Sequence, residues 1–290
     1  MADTTKISWA DKTFNPWIGC TKVSPACDGC YAAHLMETRL GRVTWGAGED
    51  RQRTSPANWQ LPRRWNREAE KTGTRPFVFC ASLADVFDNE VDPLWRSDLF
   101  KLIDGTPNLI WLLLTKRIGN VLKMTDAFRG NRPVPPNAAI GATMANQEEY
   151  DRDRMKLWQV KQDRAPAFTF GSFEPLLGPV TLDEHAPDWI ITGGETDQGT
   201  HKARPSHPEW FRTLRDQSAA LGRAFHHKQN GEWRAGNGAE AHFKEAITVP
   251  WTRVDSRMPG VRPAFMVKIG KRATGREIDG KMHDAFPVTP

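Results

Sequence analysis

The stretch LIWLLLTK, residues 109–116, opens with six apolar residues in a row and ends on Thr115 and Lys116. A strand with one wet face would alternate. An unbroken run of this length fits a strand buried on both faces, as in a parallel sheet. Similar runs occur at PFVFCAS (76–82), AAIGATM (138–144), PAFTFGSFEP (166–175), DWIITGGE (188–195) and RAFHHKQ (223–229). Between them lie segments with helical spacing. In 92–106, Asp92 is placed to cap, Pro93 suits the first turn, and Leu94, Trp95, Leu99, Leu102 and Ile103 share a face. Segments 146–161 and 207–222 read the same way, the second closing on Gly222. Strands alternating with helices predict an α/β fold with a parallel sheet. Six or seven such units suit a full or partial (β/α) barrel, with a doubly wound open sheet as the alternative.

Several runs end in polar residues: Ser82 with Asp85, Thr115-Lys116-Arg117, Ser172 with Glu174, Gly193-Gly194-Glu195, and Lys228-Gln229. Parallel α/β folds place their sites at the C-terminal ends of the strands, so these residues are expected to converge on one mouth. The plainer alternative is that they simply border solvent. Segment 40–75 is a charged excursion with several tryptophans, and 231–290 is rich in Gly, Pro and charge. Within the tail, FMVKIGKRATGREIDGKMHDAFP reads as a β-ribbon followed by a loop. No boundary marks a second domain. The expectation is one domain over 1–290, with a core of about 14–230 and a C-terminal extension over 231–290.

The 290 residues are 39% hydrophobic and 26% charged, an ordinary globular composition. No apolar run reaches the roughly 20 residues that span a bilayer. The first residues, MADTTKISWADKTF, carry no apolar leader, so a cytoplasmic location without membrane contact is expected. A net charge of +5 permits an anionic partner. Arg51, Arg53, Arg63, Arg64 and Arg67, interleaved with Trp59 and Trp65, suit a nucleic-acid strand through stacking and phosphate contacts. Against that stands a solvated basic face with its tryptophans turned inward.

Three of the four cysteines, Cys20, Cys27 and Cys30, fall in NPWIGCTKVSPACDGCYAAHL, residues 15–35. In a reducing compartment, clustered cysteines point to metal binding or catalysis before disulfides. A redox disulfide between Cys27 and Cys30 is one reading. A tetrahedral zinc site completed by His34 is a second. A 4Fe-4S cluster held by three thiolates, with one iron open to a small molecule, is a third. Cys80 lies in an apolar strand and reads as a buried structural thiol. His226 and His227 read as strand-end packing or substrate contacts.

A cysteine triad ahead of a series of βα units resembles the radical S-adenosylmethionine superfamily. The usual spacing there is C-x3-C-x2-C. Here six residues separate the first pair, and Gly29 precedes the third cysteine where an aromatic residue is common. A narrower resemblance covers nearly the whole chain. NPWIGCTKVSPACDGCYA, LTKR, SFEPLLGPV, DWIITGGE with ARPSHPEW, HHKQNGEW and GKRATGREIDGKMHDAFP are together similar to a family of phage- and prophage-encoded three-cysteine proteins. That family is regarded as radical-SAM-like.

The resemblance implies an enzyme with a partial or full barrel of the radical SAM type and an N-terminal cysteine loop. In it Cys20, Cys27 and Cys30 hold a 4Fe-4S cluster and S-adenosylmethionine binds the open iron. Ser82, Asp85, Gly193, Gly194 and Glu195 would border S-adenosylmethionine. Lys116, Arg117, Glu174, Lys228 and Gln229 are left for substrate, two or three cations at one mouth suiting phosphate or carboxylate. For Glu174 the competing expectation is an internal salt bridge to Arg117 or Lys228. A nucleobase or nucleotide, alone or within DNA or RNA, is the expected substrate, and a flavodoxin or ferredoxin the expected electron donor. The other classes left open are a zinc-bearing nucleic-acid-binding protein and a non-catalytic iron–sulfur protein.

Overall fold

The computed structural model describes residues 5–237, 240, 245–250 and 263–289. The remainder of the predicted C-terminal extension lies outside the described residues. The strands are β1 Lys12–Thr13, β2 Trp17–Ile18, β3 Gln52–Arg53, β4 Phe77–Cys80, β5 Ile110–Thr115, β6 Ala138–Thr143, β7 Thr169–Phe173, β8 Trp189–Gly193, β9 Ala224–Gln229, β10 Trp233–Ala235, β11 Ala246–Val249 and β12 Ala264–Lys268. The helices are α1 Tyr31–Ala33, α2 Pro56–Thr72, α3 Pro93–Asp104, α4 Val121–Arg129, α5 Gln147–Arg164, α6 Pro208–Ala220 and α7 Lys271–Thr274. No described helix is long and apolar enough to cross a membrane.

The six apolar runs all form strands, joined by the two-residue β1 into one seven-stranded sheet of order β1-β4-β5-β6-β7-β8-β9. Every pairing in it is parallel. Consecutive order with helical crossovers gives a curl rather than a doubly wound sheet. If flat, seven strands would hold their edges roughly 30 Å apart. Yet Ser8 Oγ, four residues before β1, lies 2.9 Å from His226 Nε2 in β9. The sheet is therefore a curled half-barrel whose edges approach each other below β1.

The curl creates two cores from one alternation. Facing inward are Phe79, Ile110, Leu112, Ala139, Phe168, Phe170, Trp189 and Ile191, with Trp9 packed among them. Facing outward are Val78, Cys80, Trp111, Leu113, Ile140 and Ile190, which meet Leu99, Ile103, Leu157, Trp210 and Leu214 from the surrounding helices. Both faces are dry, which is why the runs in the sequence do not alternate. A methyl group at Gly141 would sit 2.4 Å from the Phe170 ring inside the curl. Gly141→Ala is expected to cost about 1–3 kcal/mol by overpacking, read as a lower urea midpoint at unchanged slope.

The helix starts follow the capping chemistry. Asp92 Oδ1 accepts from Leu94 N (2.8 Å) ahead of Pro93, and Asn146 Oδ1 accepts from Glu149 N (3.0 Å) to open α5. Gly222, at φ +64°, ends α6.

The described part of the C-terminal extension forms a sheet of its own and then lines a strand edge. β10, β12 and β11 form a separate antiparallel sheet. Residues beyond α7 then run along the free edge of β9: His227 N donates to His283 O (2.8 Å) and Ala285 N to Phe225 O (3.2 Å). The edge is thus covered, as exposed edges need to be. At the lower end Phe286 packs against Phe77 and Trp189, with centroids 5.4 and 5.2 Å away.

His226 and His227 are packing residues, fully buried in β9. His227 Nδ1 meets Thr192 Oγ1 (2.9 Å) and its Nε2 meets Asn230 Oδ1 (3.0 Å). Burial pushes both imidazoles down to about 4, with Arg276 adding to it; Asp284 opposes the shift at His226, and the Asn230 hydrogen bond opposes it at His227. The fold prefers the neutral rings, so the unfolded chain takes up protons first. This contribution is whole above the ordinary histidine value near 6.5 and falls as pH drops towards 4. At pH 5 each ring is expected to cost on the order of 2 kcal/mol relative to pH 7. The check is a urea midpoint that drops between pH 7 and 5, with a shallower drop in His227→Gln.

Candidate active site

The cysteine loop sits over the C-terminal ends of the strands. Cys20 follows β2. Cys27 closes a short turn, Pro25–Cys27, in which Ser24 Oγ accepts from Ala26 N (3.0 Å). Cys30 immediately precedes α1. All three thiols are free, and all three line one cavity of about 640 Å³ at the mouth of the half-barrel. Cys80 is also free but buried on the outward face of β4, among the helices. Burial alone raises its thiol well above the ordinary range.

Three arginines fasten the loop. Arg117 donates from Nη2 to Thr21 O (2.8 Å) and from Nη1 to Cys20 Sγ (3.4 Å) and Asp85 Oδ2 (3.1 Å). Arg51 reaches Thr21 Oγ1 (2.7 Å), Gly46 O (3.1 Å) and Asp88 Oδ2 (2.8 Å), and also pairs with Glu90. Arg204 donates to Pro25 O (2.9 Å) and Asp28 Oδ2 (3.0 Å), and grips both oxygens of Glu195 at 2.6 and 2.8 Å. Burial pushes the Cys20 thiol up to about 11; Asp85 adds to this and Arg117 opposes it.

Of the residues expected around S-adenosylmethionine, Gly193 is not on the cavity wall. Ser82, Asp85, Gly194 and Glu195 all line the cavity. Ser82 Oγ is bonded to Asn15 Nδ2 (3.1 Å). The two carboxylates, however, are engaged within the chain. Asp85 accepts from Thr115 Oγ1 (2.7 Å), Phe87 N (2.9 Å), Lys116 N (2.9 Å) and Arg117. Glu195 is held by Arg204, which keeps its carboxyl below the usual range although burial acts the other way. The glycines serve close packing of this chain on itself. A methyl at Gly194 would fall 2.1 Å from Asn230 O, and one at Gly193 would meet Glu174 at 3.0 Å.

Of the residues expected to face substrate, Lys116, Glu174, Lys228 and Gln229 line the cavity. Arg117 departs from the expectation, because its guanidinium is turned to the cysteine loop and its partners are Asp85 and Asp88 rather than Glu174. Glu174 instead takes Lys228 Nζ (2.7 Å) and Gln229 Nε2 (3.0 Å), both on Oε1. Lys116 Nζ has Thr143 Oγ1 at 3.4 Å. In the basic segment, Arg51 is buried and internally paired, Trp65 is turned inward, and Arg63, Arg64 and Arg67 lie exposed on α2. Arg53 stacks on Trp59 at 4.4 Å and pairs with Asp98.

Four contributors had not been singled out: Arg204, His201, Asn15 and Lys271. Arg204 and His201 lie in the loop after β8. A methyl at Gly29 would strike His201 at 2.6 Å and Glu195 at 3.1 Å, so the histidine takes the space that an aromatic residue before the third cysteine would need. Arg204 lies in ARPSHPEW, but nothing local to that segment marks its partner Asp28, 176 residues away.

The profile of one protein family, described as a protein of unknown function (DUF5131), matches residues 4–287. The chain belongs to the DUF5131 family. No curated protein matches this DUF5131 chain. Among solved structures it is similar to a spore photoproduct lyase mutant with bound AdoMet and dinucleoside spore photoproduct, at 12% identity and TM-score 0.46, covering 92% of this chain and 71% of that one. It is also similar to a spore photoproduct lyase complexed with dinucleoside spore photoproduct, at 10% identity and TM-score 0.43, covering 93% and 71%.

The donor set discriminates between metal groups. One tetrahedral zinc at about 2.3 Å from each sulfur would draw its ligands within about 4 Å of one another. Among the described residues, the three sulfurs and His34 do not gather within 4.8 Å, and the His34 ring lies against Gly199 instead. A cluster binds each thiolate at a different iron, so wider spacing suits it. Three thiols on the cavity wall, with Cys80 facing away, fit a cluster with one open iron.

Proposed function

We propose that this protein is a radical S-adenosylmethionine enzyme acting on a nucleobase or nucleotide, free or within DNA or RNA. The observation that carries the reading is the set of three free thiols, not gathered as for a single ion, on the wall of a cavity at the C-terminal mouth of a parallel half-barrel. Cys20, Cys27 and Cys30 would hold a 4Fe-4S cluster. Such a cluster, once reduced by an external donor, would supply the electron for reductive cleavage of a sulfonium C–S bond of S-adenosylmethionine.

The chain's own residues hold the site and keep it dry. Arg117 and Arg204 fix the two halves of the cysteine loop, each anchored on a strand-end carboxylate, Asp85 or Glu195. These carboxylates orient the loop through the arginines. Ser82, its hydroxyl held by Asn15, and the buried backbone of Gly194, bonded at both N and O to Gln229, form part of the wall where S-adenosylmethionine would lie. Beneath them the inward layer of Phe79, Leu112, Phe170 and Ile191 excludes water from a reactive carbon radical. Lys116, Glu174, Lys228 and Gln229 would meet the substrate. A cytoplasmic flavodoxin or ferredoxin would supply the electron.

The test is anaerobic reconstitution with iron and sulfide, followed by dithionite and S-adenosylmethionine. A brown protein with about four irons that forms 5′-deoxyadenosine is expected. A colourless protein with one zinc would overturn the proposal. A cluster without any 5′-deoxyadenosine would reduce it to a non-catalytic iron–sulfur protein.

A further inference from the structure

The charged side chains lining the cavity are Lys6, Lys116, Lys228 and Lys271 against Asp85, Glu174 and Glu195. Each carboxylate has its own cation: Arg117 for Asp85, Lys228 for Glu174 and Arg204 for Glu195. With those pairs removed, only ammonium groups remain. Among the described residues no carboxylate oxygen lies within 4.0 Å of Lys6, Lys116 or Lys271 Nζ. Lys6 is exposed at the rim. Lys116, half-buried at the end of β5, has only the neutral Thr143 hydroxyl beside it.

Lys271 comes from a different part of the chain. It begins α7 in the C-terminal extension, where its backbone N donates to Glu232 Oε2 (3.1 Å) while its side chain reaches the cavity. Lys271 is an exposed residue at the cavity; partial burial of its ammonium and then the neighbouring Lys228 hold it below the ordinary lysine value, while Glu174 and Glu232 oppose the shift. Neither Lys116 nor Lys271 has a carboxylate at ion-pair distance among the described residues, so an anion entering the cavity gains both charges without displacing a partner.

We infer that Lys116 and Lys271, two ammonium groups on the wall of one cavity, bind the phosphate of the substrate. Resting on the radical-enzyme reading for the word substrate, the inference adds the group recognised and the residues that recognise it. Two point charges without a fixed fork suit a phosphate, whose oxygens present charge in several directions. Glu174 Oε2 has no hydrogen-bond partner among the described residues and remains available to a donor on the same ligand, a base N–H or a sugar hydroxyl. The phosphate can arrive on a free nucleotide or within a strand.

The subsite is tested on iron-free protein by calorimetric titration. The probes are inorganic phosphate, an equimolar mixture of the four deoxynucleoside 5′-monophosphates, the matching nucleosides, and a mixed-sequence single-stranded trinucleotide. A phosphate-bearing probe is expected to bind at least about tenfold more tightly than the nucleosides, and Lys116→Gln and Lys271→Gln are each expected to weaken it about tenfold at unchanged Tm. Lys202→Gln, which removes an exposed lysine paired with Asp197, is expected to change nothing. Tighter binding of the monophosphates identifies a free nucleotide as the source, and tighter binding of the trinucleotide identifies a strand. Equal binding of nucleosides and nucleotides, no binding of any phosphate probe at about 10 mM, or wild-type affinity in both lysine variants would overturn the inference. Because no iron is present, the result stands apart from the cluster: phosphate binding with failed reconstitution removes the radical reading and keeps the subsite, and the converse removes only the subsite.

Discussion

Replacing Cys20, Cys27 or Cys30 by alanine is expected to remove essentially all iron from the anaerobically reconstituted protein, while Cys80→Ala keeps it. The three loop thiols share a cavity wall. Cys80 faces the opposite side of β4, fully buried among side chains of the outer core. Structural metal sites contribute their binding energy as a set, so losing one ligand of three is not met by a proportional loss of affinity. Iron and sulfide analysis, together with the visible spectrum of each variant, makes the measurement. Equal loss in all four variants would make Cys80 a ligand and close the open iron. Full retention in the loop variants would end the cluster assignment. Cys80→Ala is expected to cost stability only, through the small cavity it leaves.

Asp85→Ala is expected to lower stability by about 3–5 kcal/mol, which for a chain of this size is a fall in Tm of roughly 10 °C. Asp85 is 5% exposed, and the Arg117 side chain 8%. A buried pair contributes little net stability, yet removing one partner strands the other's charge. Here the loss also frees Thr115 Oγ1, Phe87 N and Lys116 N, and leaves Arg117 with Asp88 at 3.7 Å. Asp85→Asn, which keeps an acceptor oxygen, should lose less. Differential scanning calorimetry alongside S-adenosylmethionine titration separates the two roles open to this carboxylate. An unchanged Tm with lost S-adenosylmethionine binding would make Asp85 a ligand-binding group and refute its role as an anchor of Arg117.

Much of the architecture was legible because a sheet dry on both faces writes itself as uninterrupted apolar runs. The segment 109–116 became β5, and Ile110 and Leu112 point into the curl while Trp111 and Leu113 point out. The two-residue β1 left no such trace, and α2 and α4 were missed because charge and tryptophan in 40–75 and the short apolar face at 121–129 masked their spacing. At the site, side chains at strand ends were found where parallel topology puts them. Their partners were not. Arg204 and Lys271 reach the cysteine loop and the cavity from distant segments, and nothing local marks such a meeting. Asp85 and Glu195 show a related limit: the sequence places a carboxylate at the mouth, and only the fold reveals that an arginine already occupies it.

The ribbon that follows β12 touches both poles of the half-barrel. Phe286 stoppers the closed pole against Phe77 and Trp189, and Lys271 lends its charge to the open one. Between them the backbone is stitched to β9 at Phe225 and His227. Anything that tugs this ribbon loose at its foot therefore also unsettles the cation at its head, and damage far from the cysteines should register where ligands enter.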